Sequence, residues 1–167
     1  MLRALGLSLV LALAWTSPAA WAAPSAPAFT LRLLDGKKTL DSRSYLGKQV
    51  LVVRFQASWC RLCVREASGF ERAYRKYKPR GVEFVGIQVQ DTPGDARKFL
   101  QAHGATYPAG LDPTLKIANR FGFKGTPYTV VISQKGKMVA RIHGPADEAR
   151  LGKAIDPLLS PRPRPSR

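Results

Sequence analysis

Cys60 and Cys63 are the only cysteines in the chain, and they stand two residues apart in Trp59-Cys60-Arg61-Leu62-Cys63. A nearly continuous apolar run from Val50 to Phe55 precedes them, and a pattern of helical period follows. This spacing lets the two sulfurs join as a disulfide or part as a dithiol with little movement of the backbone. A cross-link closing so short a loop removes little unfolded-chain entropy, because that gain grows with loop length. A structural staple is therefore the weaker reading and a working redox couple the stronger one. The same unit constrains the fold, since a buried-looking strand feeding a CxxC helix belongs to βαβ architectures.

The first 22 residues read as a secretory signal. Arg3 supplies a positive start, Ala4 to Trp15 form a mainly apolar run, and Ala20-Trp21-Ala22 is a small-x-small cleavage site. The run is shorter than the about 20 apolar residues that span a bilayer. Cleavage is expected after Ala22, or failing that after Ala23; left uncleaved, the segment would tether the protein by its N-terminus. A periplasmic location is the expectation. In an oxidising compartment a lone cysteine pair is either a small staple or a thiol–disulfide couple. Residues 23–27 read as a Pro/Ala/Ser linker and 28–160 as one domain. Residues 161–167, where proline alternates with basic residues, read as a disordered tail.

Twenty-seven Lys and Arg face eleven Asp and Glu, a formal charge of +16. Such a balance invites a nucleic-acid or anionic-membrane reading. The cations are scattered, however, and no strand or loop alternates basic with aromatic residues. The densest stretch, Arg61 to Arg80, falls on a helix whose solvated face explains it. No nucleic-acid partner is expected; an acidic protein partner or a membrane surface fits better.

Local patterns order the rest. Phe29, Leu31 and Leu33 alternate as a half-buried strand, Asp35-Gly36 turns the chain, and residues 42–48 read as a loop. Residues 49–55 suit a central parallel strand. Cys63, Ala67, Phe70, Tyr74 and Tyr77 make the apolar stripe of a helix from about Cys60 to Tyr77, stopped at Pro79-Arg80-Gly81. Val82 to Val89 is the next strand. Thr92-Pro93-Gly94-Asp95 opens a helix with a capping box, and Gly104 closes it. A third helix is expected from Asp112-Pro113 to Gly122. Thr129–Ile132 and Met138–Ile142 form a hairpin around Lys135-Gly136-Lys137, and Leu151, Ile155, Leu158 and Leu159 mark a closing helix. The sum is an α/β domain: a mixed central sheet flanked by helices on both faces, with an N-terminal strand extension.

The chain resembles thioredoxin-fold proteins, and among them the exported TlpA/ResA-type thiol–disulfide oxidoreductases. The resemblance spans nearly all of residues 28–159. It rests on Leu34-Asp35-Gly36-Lys37, Gly47-Lys48-Gln49-Val50-Leu51-Val52, Ala57-Ser58-Trp59-Cys60 with Cys63 and Glu66, Gly81-Val82-Glu83-Phe84-Val85-Gly86, and Phe121-Gly122-Phe123-Lys124-Gly125-Thr126-Pro127. Four positions depart from the family pattern: Leu62 where a proline usually precedes the second cysteine, Gln56 where a tryptophan is common, Ser68 in place of a helix proline, and Arg54 in place of a buried carboxylate or asparagine. The resemblance implies reduction of disulfides in exported proteins, apocytochrome c among them. It also implies a membrane electron donor and no cofactor beyond the redox-active Cys60–Cys63 disulfide; a monomer is the default expectation. It implies further that the Thr126–Pro127 bond is cis, leaving the Thr126 backbone free to pair with a bound peptide.

The chemistry follows from position. Cys60 lies at a helix start, where free N–H groups and the helix dipole favour an anion, and such sites lower a cysteine's pKa below about 8.5. It is the expected nucleophile, with Arg61, and Arg54 if its side chain turns that way, as tuning cations. Cys63, one turn in, is the expected resolving thiol, and Glu66, three residues on, a candidate proton acceptor for it. Trp59 is expected beside the disulfide, presenting Cys60. Two other readings stay open. A metal or copper carrier would use Cys60 and Cys63 with His143 as a third ligand, although two thiolates make a poor closed site. A peroxidase would need a proline- and threonine-supported cysteine, a context Cys60 lacks.

Overall fold

The computed structural model describes residues 23–159; the expected signal, residue 160 and the tail at 161–167 lie outside the described residues. In chain order the elements are β1 (Thr30–Arg32), β2 (Thr39–Asp41), β3 (Val50–Gln56), α1 (Arg61–Tyr77), β4 (Val82–Val89), α2 (Pro93–Ala102), β5 (Ala109–Asp112), β6 (Tyr128–Ile132), β7 (Met138–His143) and α3 (Glu148–Ile155). Five strands form one sheet in the order β5-β4-β3-β6-β7, with β3, β4 and β5 parallel and β6 and β7 antiparallel to their neighbours. β1 and β2 make a separate antiparallel pair.

The period of two along β3 explains how this sheet is covered on both faces. Val50 and Val52 point to one face, where they meet Phe70, Ala73, Tyr74 and Tyr77 of α1 and Leu151 and Ile155 of α3. Leu51, Val53 and Phe55 point to the other, where Phe29, Leu31 and Leu40 from the N-terminal strands and Phe121 from a 3-10 turn at Ala118–Phe121 close the core. All seven residues of β3 are buried, which is why its sequence reads as a run rather than an alternation.

Four local readings are corrected. Residues 39–41, unassigned by pattern, are a strand, and Ser42–Tyr45 is a 3-10 turn rather than open loop. Ala109–Asp112 is an edge strand. The helix expected from Asp112-Pro113 is only the single 3-10 turn at 118–121. Leu115 adopts a left-handed conformation at φ 60°, which breaks a helix there. The Asp112 carboxylate instead closes the turn, accepting from the N–H groups of Ile117 (2.9 Å) and Ala118 (2.8 Å).

Gly110 is where the N-terminal segment crosses β5. Leu33 bridges to it, and the Leu34 N–H donates to the Ala109 carbonyl at 2.8 Å. A Cβ at Gly110 would meet the Arg32 carbonyl and come within 2.5 Å of Leu31 Cγ. Gly110→Ala is expected to cost about 1–3 kcal/mol, the usual range for overpacking, measured as a lowered midpoint of chemical unfolding.

Candidate active site

β3 and β4 run parallel while β6 runs against them, with Phe55 opposite Tyr128 and Gln56 opposite Gln88. Three segments therefore converge at one end of the sheet: Ala57 to Cys60 leaving β3, Gln90 and Asp91 leaving β4, and Thr126-Pro127 entering β6. The Thr126–Pro127 peptide is cis, as the resemblance implies, and the Pro127 carbonyl accepts from the Gly144 N–H at 2.9 Å.

Cys60 is the N-cap of α1 and Cys63 lies in its first turn. The two are joined as a disulfide, their Cα atoms 5.2 Å apart. Their environments differ slightly: Cys63 is fully buried while Cys60, though also buried, keeps 6% exposure, so of the two only Cys60 has any contact with solvent. Cys60 Sγ also accepts the Cys63 N–H at 3.1 Å, the cap bond of a helix start. No acidic residue occupies the first turn of α1, so nothing there opposes the partial positive charge of the free N–H groups.

The loop carrying Cys60 is held by residues that no local pattern could pair with it. Asp91 accepts from the Ser58 N–H (2.7 Å), the Ser58 hydroxyl (2.8 Å) and the Thr92 N–H (3.0 Å). Trp59 Nε1 donates to the Gln90 carbonyl at 3.1 Å while the residue stays 56% exposed, so it stands next to Cys60 at the surface rather than in the core. Arg61 is exposed on the first turn.

Arg54 lies on the face of β3 beneath α1, completely buried. Its guanidinium sits over the Phe70 ring at 4.7 Å, Nε donates to Gln56 Oε1 (3.2 Å), and Nη2 donates to Glu66 Oε2 (2.9 Å). Glu66 Oε1 accepts the Ala146 N–H at 2.8 Å. The second tuning cation named from sequence is thus an ion-pair partner of the candidate proton acceptor. Gln56 Nε2 reaches the Tyr107 hydroxyl at 3.2 Å. Burial pushes the Tyr107 phenol above its ordinary pKa against the opposing pull of Gln56 and Arg54, so the hydroxyl stays neutral. Gln88 and Thr129 extend this polar layer: both are fully buried, and their side chains have no hydrogen-bond partner among the described residues.

His143 is exposed and its ring stacks on Tyr128, centroids 4.4 Å apart. Among the described residues no group of three or more His, Cys, Asp or Glu is placed to hold a metal ion. His103 lies edge-on to Phe99.

A fully buried first-turn cysteine, an N-cap cysteine that keeps slight exposure and a cis-proline loop at the same sheet end define a thioredoxin-type dithiol site. The chain belongs to the AhpC/TSA family, whose model matches residues 23–141. It is 34% identical over 144 residues to the thiol:disulfide interchange protein HelX of Rhodobacter capsulatus, covering 86% of this chain and 80% of that protein. It is 30% identical over 126 residues to the thiol-disulfide oxidoreductase ResA of Bacillus thuringiensis, covering 75% and 72%. Among solved structures it resembles a thiol:disulfide interchange protein of the thioredoxin family from Chlorobium tepidum, with a TM-score of 0.73, 26% identity, and coverage of 81% of this chain and 96% of that one.

Proposed function

We propose that this protein is a periplasmic thiol–disulfide oxidoreductase that reduces disulfides in exported proteins through Cys60 and Cys63. The observation that carries this reading is the unequal pair: Cys60 at the helix tip keeps slight exposure, and Cys63 in the first turn has none. In the reduced protein the Cys60 thiolate attacks a substrate disulfide, forming a mixed disulfide and releasing one substrate thiol. Cys63, having lost its proton, then attacks Cys60 Sγ; the mixed disulfide breaks, the second substrate thiol leaves, and the Cys60–Cys63 bond forms. Two electrons pass to the substrate, and a thiol donor, membrane-bound in this proposal, returns them. Glu66 takes the proton from Cys63. Thr126 and Pro127 seat the substrate backbone and Trp59 flanks it. The couple needs no further cofactor, and the protein works as a monomer. No helix among the described residues is long and apolar enough to cross a membrane. Export rests on the signal pattern in residues 1–22.

Stabilising the thiolate stabilises the reduced form and makes the couple more oxidising. The free helix N–H groups and Arg61 act in that direction, while Arg54 is partly offset by Glu66. Equilibration with glutathione is expected to give a potential less negative than about −270 mV, the value for thioredoxin; a value well below it defeats the electrostatic argument. Reduction of insulin by the dithiol form tests the function itself, and a protein that cannot precipitate insulin chains faster than dithiol alone is not a reductase of this kind.

A further inference from the structure

All eleven carboxylate side chains of this protein lie among the described residues, and each accepts a hydrogen bond from within the protein. Four of them stand near the sheet end that holds the disulfide. Glu66 is taken by Arg54 and the Ala146 N–H, and Asp91 by Ser58 and Thr92. Asp95 is taken by Thr92 and Asp147 by the Arg150 N–H. Only Glu66 is ion-paired; the hydrogen bonds to Asp91, Asp95 and Asp147 come from neutral donors and leave their charge in place, and four cations at the same end are likewise unpaired. Arg61 and Arg65 stand one turn apart on the exposed side of α1, Lys98 stands on α2, and Lys124 precedes the cis-proline loop. All four are exposed, and none has an acidic partner among the described residues. The face around Cys60 therefore carries a small excess of positive charge, Arg61, Arg65, Lys98 and Lys124 against Asp91, Asp95 and Asp147, on a protein of net charge +16.

The same face is apolar in one place. Trp59 is 56% exposed and Val64 40% exposed, and they border a groove between α1 and α2 that Phe99 floors and Asp95, Lys98 and His103 edge. Phe99 packs with Cys60 and Cys63 in one cluster, so the groove is continuous with the disulfide. Trp59 is pinned by its bond to the Gln90 carbonyl, which limits the rotamer entropy that docking would remove.

We propose that the partner docked at Cys60 is a polypeptide with acidic side chains beside an apolar residue close to its cysteine. The apolar residue enters the α1–α2 groove, and the acids meet Arg61, Arg65 and Lys98. This rests on the exchange reading above and adds the chemistry of the partner. A polypeptide is favoured over a lipid surface because the cations and the groove surround a sulfur that must bond to another sulfur.

The test uses the reduced full-length protein and two peptides with the same disulfide and the same apolar neighbour, one flanked by Asp and Glu, the other by Lys. The acidic peptide is expected to react roughly tenfold faster at low ionic strength, a steering effect that salt screens. Lys98→Glu, alone or with Arg65→Glu, is expected to erase that preference. Lys153→Glu, an equal change of charge beside Tyr77 at the far end of α1, is expected to keep it. Equal rates for the two peptides, or a preference that survives Lys98→Glu with Arg65→Glu, overturns the proposal. So does binding to phosphatidylglycerol vesicles that these variants abolish while peptide rates stay equal, which would make the face a membrane contact. Wild-type reaction with hydroxyethyl disulfide separates the two claims: brisk reaction there with equal peptide rates removes only the docking proposal, whereas no reaction removes the exchange reading itself.

Discussion

Cys60→Ser is expected to lower the rate of disulfide exchange by roughly three orders of magnitude or more, the scale on which enzymes lose activity with their nucleophile. Cys63→Ser is expected to fail differently. Cys60 keeps its place at the helix tip and still attacks, but with no buried thiol to break the mixed disulfide the first product stays attached. A single turnover should then yield a covalent adduct, visible by mass and released by dithiothreitol, while sustained turnover collapses. The asymmetry follows from burial: Cys60 keeps slight exposure and Cys63 has none. Adducts found on the 63 position in Cys60→Ser, at the rate seen for Cys63→Ser, would reverse the assignment. Cys63→Ser exported in cells would also identify the partners, because they would be held on Cys60.

The second large effect concerns stability. Arg54 is fully buried, and the Glu66 carboxylate is its one acidic partner among the described residues. Removing one member of a buried ion pair leaves an uncompensated charge and typically costs about 3–5 kcal/mol, whereas replacing both can be close to neutral. Glu66→Ala is expected to fall in that range for the oxidised protein, and the double variant Arg54→Met/Glu66→Ala to recover much of the loss. A double-mutant cycle of chemical unfolding measures the coupling. Near-additive losses in that cycle would mean that the pair does not act as a unit. The kinetic role is separate. Glu66→Gln keeps an oxygen for Arg54 but cannot take a proton, so it is expected to slow substrate reduction and flatten its pH dependence. Unchanged kinetics would leave Glu66 a structural partner of Arg54 only.

What could be read from sequence was what local period encodes. The stripe from Cys63 to Tyr77, the Thr92 N-cap and the apolar run of β3 each carry their own signal, and the structure has them where the pattern puts them, although the Thr92 N–H goes to Asp91 rather than closing the box with Asp95. β2 and β5 did not, since a three-residue strand and a four-residue strand with a central glycine show neither alternation nor a run. Asp112-Pro113 carries the cues of a helix start. A left-handed Leu115 and a carboxylate that folds back on Ile117 and Ala118 override them. At the site, the CxxC pair was legible because its chemistry is local, and the Thr-Pro step because the chain resembles a known family. The Ser58–Asp91 clasp, the seating of Glu66 by Ala146 and the pairing of Arg54 with Glu66 were not, because each joins residues that only the folded sheet brings together.

Alkylation of the reduced protein by iodoacetamide at neutral pH tests most directly whether the helix tip activates its sulfur. The geometry predicts that Cys60 is modified at least about tenfold faster than free cysteine, as low-pKa thiolates at helix N-termini are, while Cys63 remains protected until the protein unfolds. A Cys60 thiol that reacts no faster than free cysteine, or a Cys63 that reacts alongside it in the folded protein, would contradict the account.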